Sequence, residues 1–341
     1  MQKRNLKKSI IFTVCLLVGV LMWNLRTQPL NLTANAASDY SGNYTRGADW
    51  ESEELSGEQL EKRINEIRTI EADKNSFSGV RKVTGQELLL NTDEGKIRVL
   101  TYNMNKIKKL PLFINIHGGG FIAGSPDTDD SYMMNIAENA NVKIMSIDYS
   151  LSPQVKFPVA LHECYAVVKY AKEHALKLRI DPNNIAVGGH SAGGNLTAAL
   201  SLLEAERNLL GLKCIILDYP LLDMDTDPAL KPRPIGCIPP ALARLFHASY
   251  REKEDSKNPL VSPIFATTNQ LKSFPPTLII TASQDSLCQE GEEFRDKLIQ
   301  AGITVTHKRF EGCLHGFTHT ETAKAQAAWQ LMIDHLRRYL H

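Results

Sequence analysis

Gly189-His190-Ser191-Ala192-Gly193 follows the β-branched run 185–187 and opens a helical pattern that continues to 206. A G-x-S-x-G pentapeptide between a strand and a helix describes a tight turn that lifts its serine out of the backbone. Glycines flank the serine because a Cβ at either place would strike neighbouring elements. Ser191 is therefore a candidate nucleophile, and the strand–turn–helix setting points to an α/β fold.

The same alternation recurs on both sides of this pentapeptide. Short apolar runs at 97–102, 110–116, 142–147, 185–187, 214–217, 276–282 and 305–310 read as strands. Helical periodicity appears over 56–70, 159–178, 193–206, 290–301 and 323–340. Alternating strands and helices predict a mostly parallel sheet with helices on both faces, working residues lying at the carboxyl ends of its strands. Between 219 and 263 the rhythm breaks. Eight prolines fall there (220, 228, 232, 234, 239, 240, 259 and 263), which argues against a long helix or central strand and for a structured insertion over one sheet edge.

Two further places carry chemistry. His117-Gly118-Gly119-Gly120-Phe121 follows the strand 110–116 directly. Consecutive glycines let backbone N–H groups face a cavity, so Gly119 and Gly120, with the N–H of Ala192, form a candidate oxyanion hole. No phosphate-loop pattern, neither G-x-G-x-x-G nor G-x-x-x-x-G-K-[ST], is present at this run. Asp285 and His315 each follow a strand, which brings both level with the elbow. An imidazole can take the serine proton, and a carboxylate can hold that imidazole in the correct tautomer. The chain order Ser191, Asp285, His315 suits this arrangement. His307, inside a strand pattern, and His319, nearer the last helix, compete for the base.

The chain has 341 residues, 43% hydrophobic and 23% charged, the composition of an ordinary globular protein. Residues 1–36 hold five of its 39 basic residues and none of its 38 acidic ones, leaving the remainder mildly acidic. That body offers no electrostatic footprint for nucleic acid. Lys3, Arg4, Lys7 and Lys8 precede an uncharged run from 10 to 23, and Ala34-Asn35-Ala36 follows. These are the parts of a secretory signal peptide, or of an uncleaved N-terminal membrane anchor, since about 20 apolar residues are needed to span a bilayer. Either reading puts residues 37–341 outside the cytoplasm, secreted or tethered. Beyond Cys15, five cysteines remain (164, 214, 237, 288 and 313), most of them read as small buried hydrophobes, with a Cys288–Cys313 bridge as the alternative.

Several tempting patterns take plainer readings. Asp223 to Asp227 resembles the start of a calcium loop, but Pro228 and Pro234 stand where Gly and Glu are required, so a solvated loop is expected. Asp127 to Asp130 reads as a turn and helix start. Asn31, Asn43 and Asn195 begin sequons of a kind that recurs by chance. His190 reads as a structural histidine, with substrate contact as the alternative.

These motifs together resemble the hormone-sensitive-lipase-like carboxylesterases among the α/β-hydrolases. The resemblance spans 110–340. It includes HGGGF with Ala123-Gly124-Ser125, Asp148-Tyr149-Ser150-Leu151-Ser152-Pro153 and Phe157-Pro158-Val159-Ala160. Asp181-Pro182, the GHSAGGN run, Tyr219-Pro220, Ser262-Pro263, Asp285-Ser286-Leu287 with Glu290-Gly291, and His315-Gly316-Phe317 complete it. It implies an eight-stranded α/β-hydrolase domain over 37–341, with a small helical cap from about 50–75 and 219–263. It also implies Ser191 as nucleophile, His315 as base, Asp285 as orienting acid, a hole of Gly119, Gly120 and Ala192, and no metal or organic cofactor. His190 replaces the family's usual Asp or small polar residue, Ser150 an Arg, and Gln284-Asp285-Ser286 the more common Gly-x-Asp-Pro.

Hydrolysis of short- to medium-chain acyl esters is the expected activity. Amide or peptide hydrolysis by the same site, or a non-catalytic extracytoplasmic binding module, are the alternatives. A small-molecule ester is the expected partner, and no feature speaks to oligomeric state.

Overall fold

The computed structural model describes residues 61–69 and 83–341. Residues 61–69 form a helix inside the predicted 56–70 span and belong to a different unit from residues 83–341. The N-terminal basic and apolar segment lies outside the described residues, as do Asn31 and Asn43. Among the described residues, no helix is long and apolar enough to cross a membrane.

Eight strands build one sheet: β1 Gln86–Thr92, β2 Gly95–Tyr102, β3 Leu110–Ile116, β4 Lys143–Asp148, β5 Ile180–His190, β6 Cys214–Asp218, β7 Thr277–Gln284 and β8 Val305–Leu314. Their order is β1-β2-β4-β3-β5-β6-β7-β8. β1 pairs antiparallel with β2 and β2 antiparallel with β4, and every later pairing is parallel. β1 escaped the sequence reading because its apolar run is largely exposed, only Leu90 of its seven residues being buried.

The helices are α1 Asp130–Asn139, α2 Val159–Glu173, α3 Ala192–Arg207, α4 Pro240–Tyr250, α5 Cys288–Gln300 and α6 Ala323–Leu340, with single turns between some of them. The predicted helix 159–178 breaks at His174 before a one-turn helix. Alternate residues of β3 serve opposite faces: Leu112 and Ile114 pack with Val167, Leu196 and Leu200, while Phe113 packs with Ile136, Trp329 and Leu336. On β6, Ile215 and Leu217 meet Leu202, Phe294 and Leu298. Helices α2, α3 and α5 therefore cover one face, and α1 and α6 the other. Burial on both faces explains why the central strands read as continuous apolar runs.

The insertion between β6 and β7 is helical in part, as the resemblance implied, and departs from the proline-based reading in its position. It holds an eleven-residue helix, α4, which tolerates Pro240 because a first-turn proline has no N–H to leave unpaired. It also stands over the carboxyl ends of the central strands, where its side chains share a cleft with Ser191, rather than over an edge of the sheet.

The five described cysteines are free thiols, so the Cys288–Cys313 bridge is not formed. Four are buried, and Cys237 is half-buried. The loop at 223–227 is a half-buried, self-bonded turn rather than a solvated one. Asp223 accepts the N–H groups of Asp225 and Thr226, and Asp227 pairs with Arg244. Asn195 is fully buried and donates to the carbonyls of Leu221 and Val261, which leaves it inaccessible to glycosylation.

Candidate active site

Ser191 sits where β5 ends and α3 begins, with φ 56° and ψ −117°. A non-glycine residue there carries strain on the order of 1–3 kcal/mol, which the surroundings must hold. They do so through backbone bonds. The Ser191 N–H donates to the Asp218 carbonyl at 3.0 Å, and the Ser191 carbonyl accepts from Asn195 and Leu221.

The Ser191 side chain meets His315. Nε2 lies 2.9 Å from Ser191 Oγ, and Nδ1 lies 2.7 Å from Asp285 Oδ2. Asp285 follows β7 directly and is 2% exposed; its second oxygen accepts the Leu287 N–H. A carboxylate at Nδ1 places the imidazole proton there and leaves the Nε2 lone pair facing the serine hydroxyl. This arrangement can withdraw the Ser191 proton.

The competing histidines point elsewhere. His307 Nε2 contacts Thr281 Oγ1 at 3.0 Å. His319 Nε2 donates to Asp129 Oδ1 at 3.0 Å, and its Nδ1 contacts the Tyr219 hydroxyl. Burial works against the charge of Asp129, yet the His319 imidazole and the Asn115 amide that bond to it hold its carboxyl below the usual range. Burial pushes the neighbouring Asp218 carboxyl well above that range, despite the Thr318 hydroxyl it accepts.

The glycine run crosses the mouth of the site. Gly119 has φ 113°, and a Cβ there would stand 2.0 Å from the Ala123 carbonyl oxygen. The Gly119 carbonyl accepts from Ile122 and Ala123 and is thereby taken up within the loop. Two N–H groups nearby are already committed, Gly118 to His190 and Ser191 to Asp218. Ala192 lies at the first turn of α3, where backbone N–H groups have no partner within the helix.

The cleft above Ser191 is lined by Gly120, Leu221, Ile238, Phe246 and Leu287, with Lys231, His247 and Ser286 among its polar members. The Lys231 side chain is buried and pairs with Glu290, whose carboxyl burial raises to about 7 against the opposing pull of that lysine. Lys231, Ile238, Phe246 and His247 come from the insertion and were invisible to spacing arguments, since proline density marks a loop without saying what it faces.

Two of the positions at which the sequence departs from the resemblance have their polar groups bonded within the fold. Ser150 donates its N–H and hydroxyl to Glu163. His190 accepts the Gly118 N–H, which supports the structural reading over substrate contact.

A family model described as the alpha/beta hydrolase fold matches residues 113–319. An arylesterase from Saccharolobus solfataricus is 27% identical over 263 residues, covering 76% of this chain and 84% of that protein. An acetyl esterase from Salmonella paratyphi B is 28% identical over 245 residues, 70% and 74% of the two chains. Among solved structures, a thermostable carboxylesterase cloned from a metagenomic library superposes with a TM-score of 0.74 at 28% identity. That match covers 82% of this chain and 98% of the other.

Proposed function

The chain belongs to the α/β-hydrolase family, and on that footing we propose that it is a serine carboxylesterase cleaving short- to medium-chain acyl esters. The observation that carries this reading is the unbroken line of hydrogen bonds from Ser191 through His315 to Asp285.

In this mechanism His315 Nε2 takes the Ser191 proton as Oγ attacks the ester carbonyl carbon. The carbonyl π electrons move onto oxygen, and the N–H groups of Gly119, Gly120 and Ala192 stabilise that oxyanion. Losing one such donor costs about 3–4 kcal/mol of transition-state stabilisation. As the tetrahedral species collapses, His315 passes its proton to the departing alkoxide and an acyl ester remains on Ser191. Water, deprotonated by the same nitrogen, then attacks the acyl carbon; the bond from that carbon to Ser191 Oγ breaks, the carboxylic acid leaves, and Oγ recovers its proton from His315. Asp285 holds the tautomer and stabilises the imidazolium throughout. The chain's own side chains and backbone supply every group in this sequence, with no metal or organic cofactor.

The insertion 219–263 acts as a cap, and its Phe246 and Ile238, with Leu221 and Leu287, confine the acyl group. The names of the arylesterase and acetyl esterase relatives agree with small ester substrates. The N-terminal basic and apolar segment supports a place outside the cytoplasm. Fractionating cells that express the full chain tests this, and recovery in the cytosol with residues 1–36 intact would overturn it.

The activity test is hydrolysis of p-nitrophenyl esters from acetate to palmitate by the full chain and by Ser191→Ala. A rate maximum at short chains that vanishes in the variant is expected. Equal rates in the two proteins, or no turnover at any length, would overturn the reading.

A further inference from the structure

His190, immediately before the proposed nucleophile, spends its ring nitrogen on the glycine run. Its Nε2 accepts the Gly118 N–H at 2.9 Å. Accepting there requires the lone pair, so the ring is neutral and its proton sits on Nδ1. Resting on the esterase reading, we propose that His190 is a positioning residue for the oxyanion hole: it ties the elbow to Gly118 and so sets the Gly119 and Gly120 N–H groups relative to Ser191.

The bond joins the two halves of the hole. Ala192 follows His190 by two residues on one segment, and Gly119 and Gly120 follow Gly118 on the other. Without the acceptor, the N–H of Gly118 loses its partner at the start of a loop that carries positive φ at Gly119, Gly120 and Phe121.

The surroundings keep His190 in the accepting form. Burial pushes its imidazole down to about 3, although Asp129 pulls the other way. The groups facing the ring are His117 after β3, Asp129 from the turn before α1, Tyr219 after β6, and His315 and His319 after β8. Asp129 Oδ1 stands 3.7 Å from Nε2, beyond hydrogen-bond range, and is bonded to His319 instead. Asn115 on β3 anchors its other oxygen at 2.8 Å. The ligand atoms of Asp129, His190 and His319 lie within 4.8 Å of one another, but a cation there would have to take the lone pair that Gly118 uses.

The test compares wild type, His190→Leu and His190→Gln in the full chain. Three quantities are read: kcat and KM for p-nitrophenyl acetate, Ki for a trifluoromethyl ketone whose adduct places an oxyanion in the hole, and Tm. In His190→Leu, kcat should fall on the order of 10- to 100-fold, less than or comparable to the loss of a hole donor. KM should stay within about twofold, and the ketone Ki should rise by the factor by which kcat/KM falls. His190→Gln, whose amide oxygen can reach the ε position, should recover most of that loss. Equal losses in the two variants, or a fall in kcat without weaker ketone binding, would overturn the proposal. If His190→Leu does not fold, His190→Gln decides alone, since a loss of kcat with unchanged Ki is again contrary. A wild type that turns over ester while His190→Leu matches it refutes only this inference; an inactive wild type refutes the esterase reading as well.

Discussion

A Cβ added to Gly193 would stand 2.0 Å from the carbonyl oxygen of Ile116, the last residue of β3. The elbow helix and the strand that leads into the glycine run thus meet through backbone alone. Neither side of the contact is a flexible side chain able to swing away. Gly193→Ala should therefore destabilise the protein by about 3 kcal/mol or more, at or beyond the upper end of ordinary overpacking. Urea unfolding checks this, and a change under about 1 kcal/mol would show that the two segments can separate.

Asp285 holds His315 through a single carboxylate oxygen, the other being occupied by the Leu287 N–H. Asp285→Asn keeps the shape but can present an amide donor to Nδ1, which favours the wrong imidazole tautomer. On the proposed mechanism kcat for p-nitrophenyl acetate should fall about 10⁴-fold. A loss under tenfold would remove Asp285 from the mechanism.

Phe246 lies against Gly120 and helps to close the cleft over Ser191. Phe246→Ala removes that wall and leaves Ser191, His315 and Asp285 unchanged. The ratio of kcat/KM for hexanoate over acetate should rise by roughly tenfold, since each accommodated methylene is worth about 1 kcal/mol or more. An unchanged chain-length profile would place the acyl group elsewhere in the cleft.

Burial depresses five of the described histidines, His307 among them. His190 falls to about 3 and His335 to about 4, while His117 and His247 also lie below the ordinary value. In the unfolded chain each titrates near 6.5. A depressed histidine contributes stability that is present above that value and is lost as pH falls toward the folded one. Unfolding free energy should accordingly drop between about pH 6.5 and 4, by on the order of 1 kcal/mol per pH unit for each such histidine. Denaturant titrations across that range check it, and a flat profile would show that these rings are protonated in the folded protein.

The parts of the molecule legible in the sequence are those where local chemistry leaves a local mark. The strand Leu110–Ile116 and the helix Ala323–Leu340 fall where the apolar pattern put them. Ser191, His315 and Asp285 come together as the order of strands and motifs implied. What escaped depended on distant partners. β1 is an edge strand with an exposed apolar run, α4 is hidden among prolines, and Phe246 matters only because the insertion folds back over Ser191. The bond from Gly118 to His190 spans 72 residues, and no spacing rule links the two.

The proposed mechanism passes through an acyl-enzyme on Ser191. Acid-quenching the protein during turnover of p-nitrophenyl acetate and mapping its peptides by mass spectrometry tests this most directly. One added acetyl group is expected on the peptide that contains Ser191, absent from Ser191→Ala and decaying as product forms. Turnover without any adduct, or an adduct on another residue that forms and decays at the catalytic rate, would contradict it.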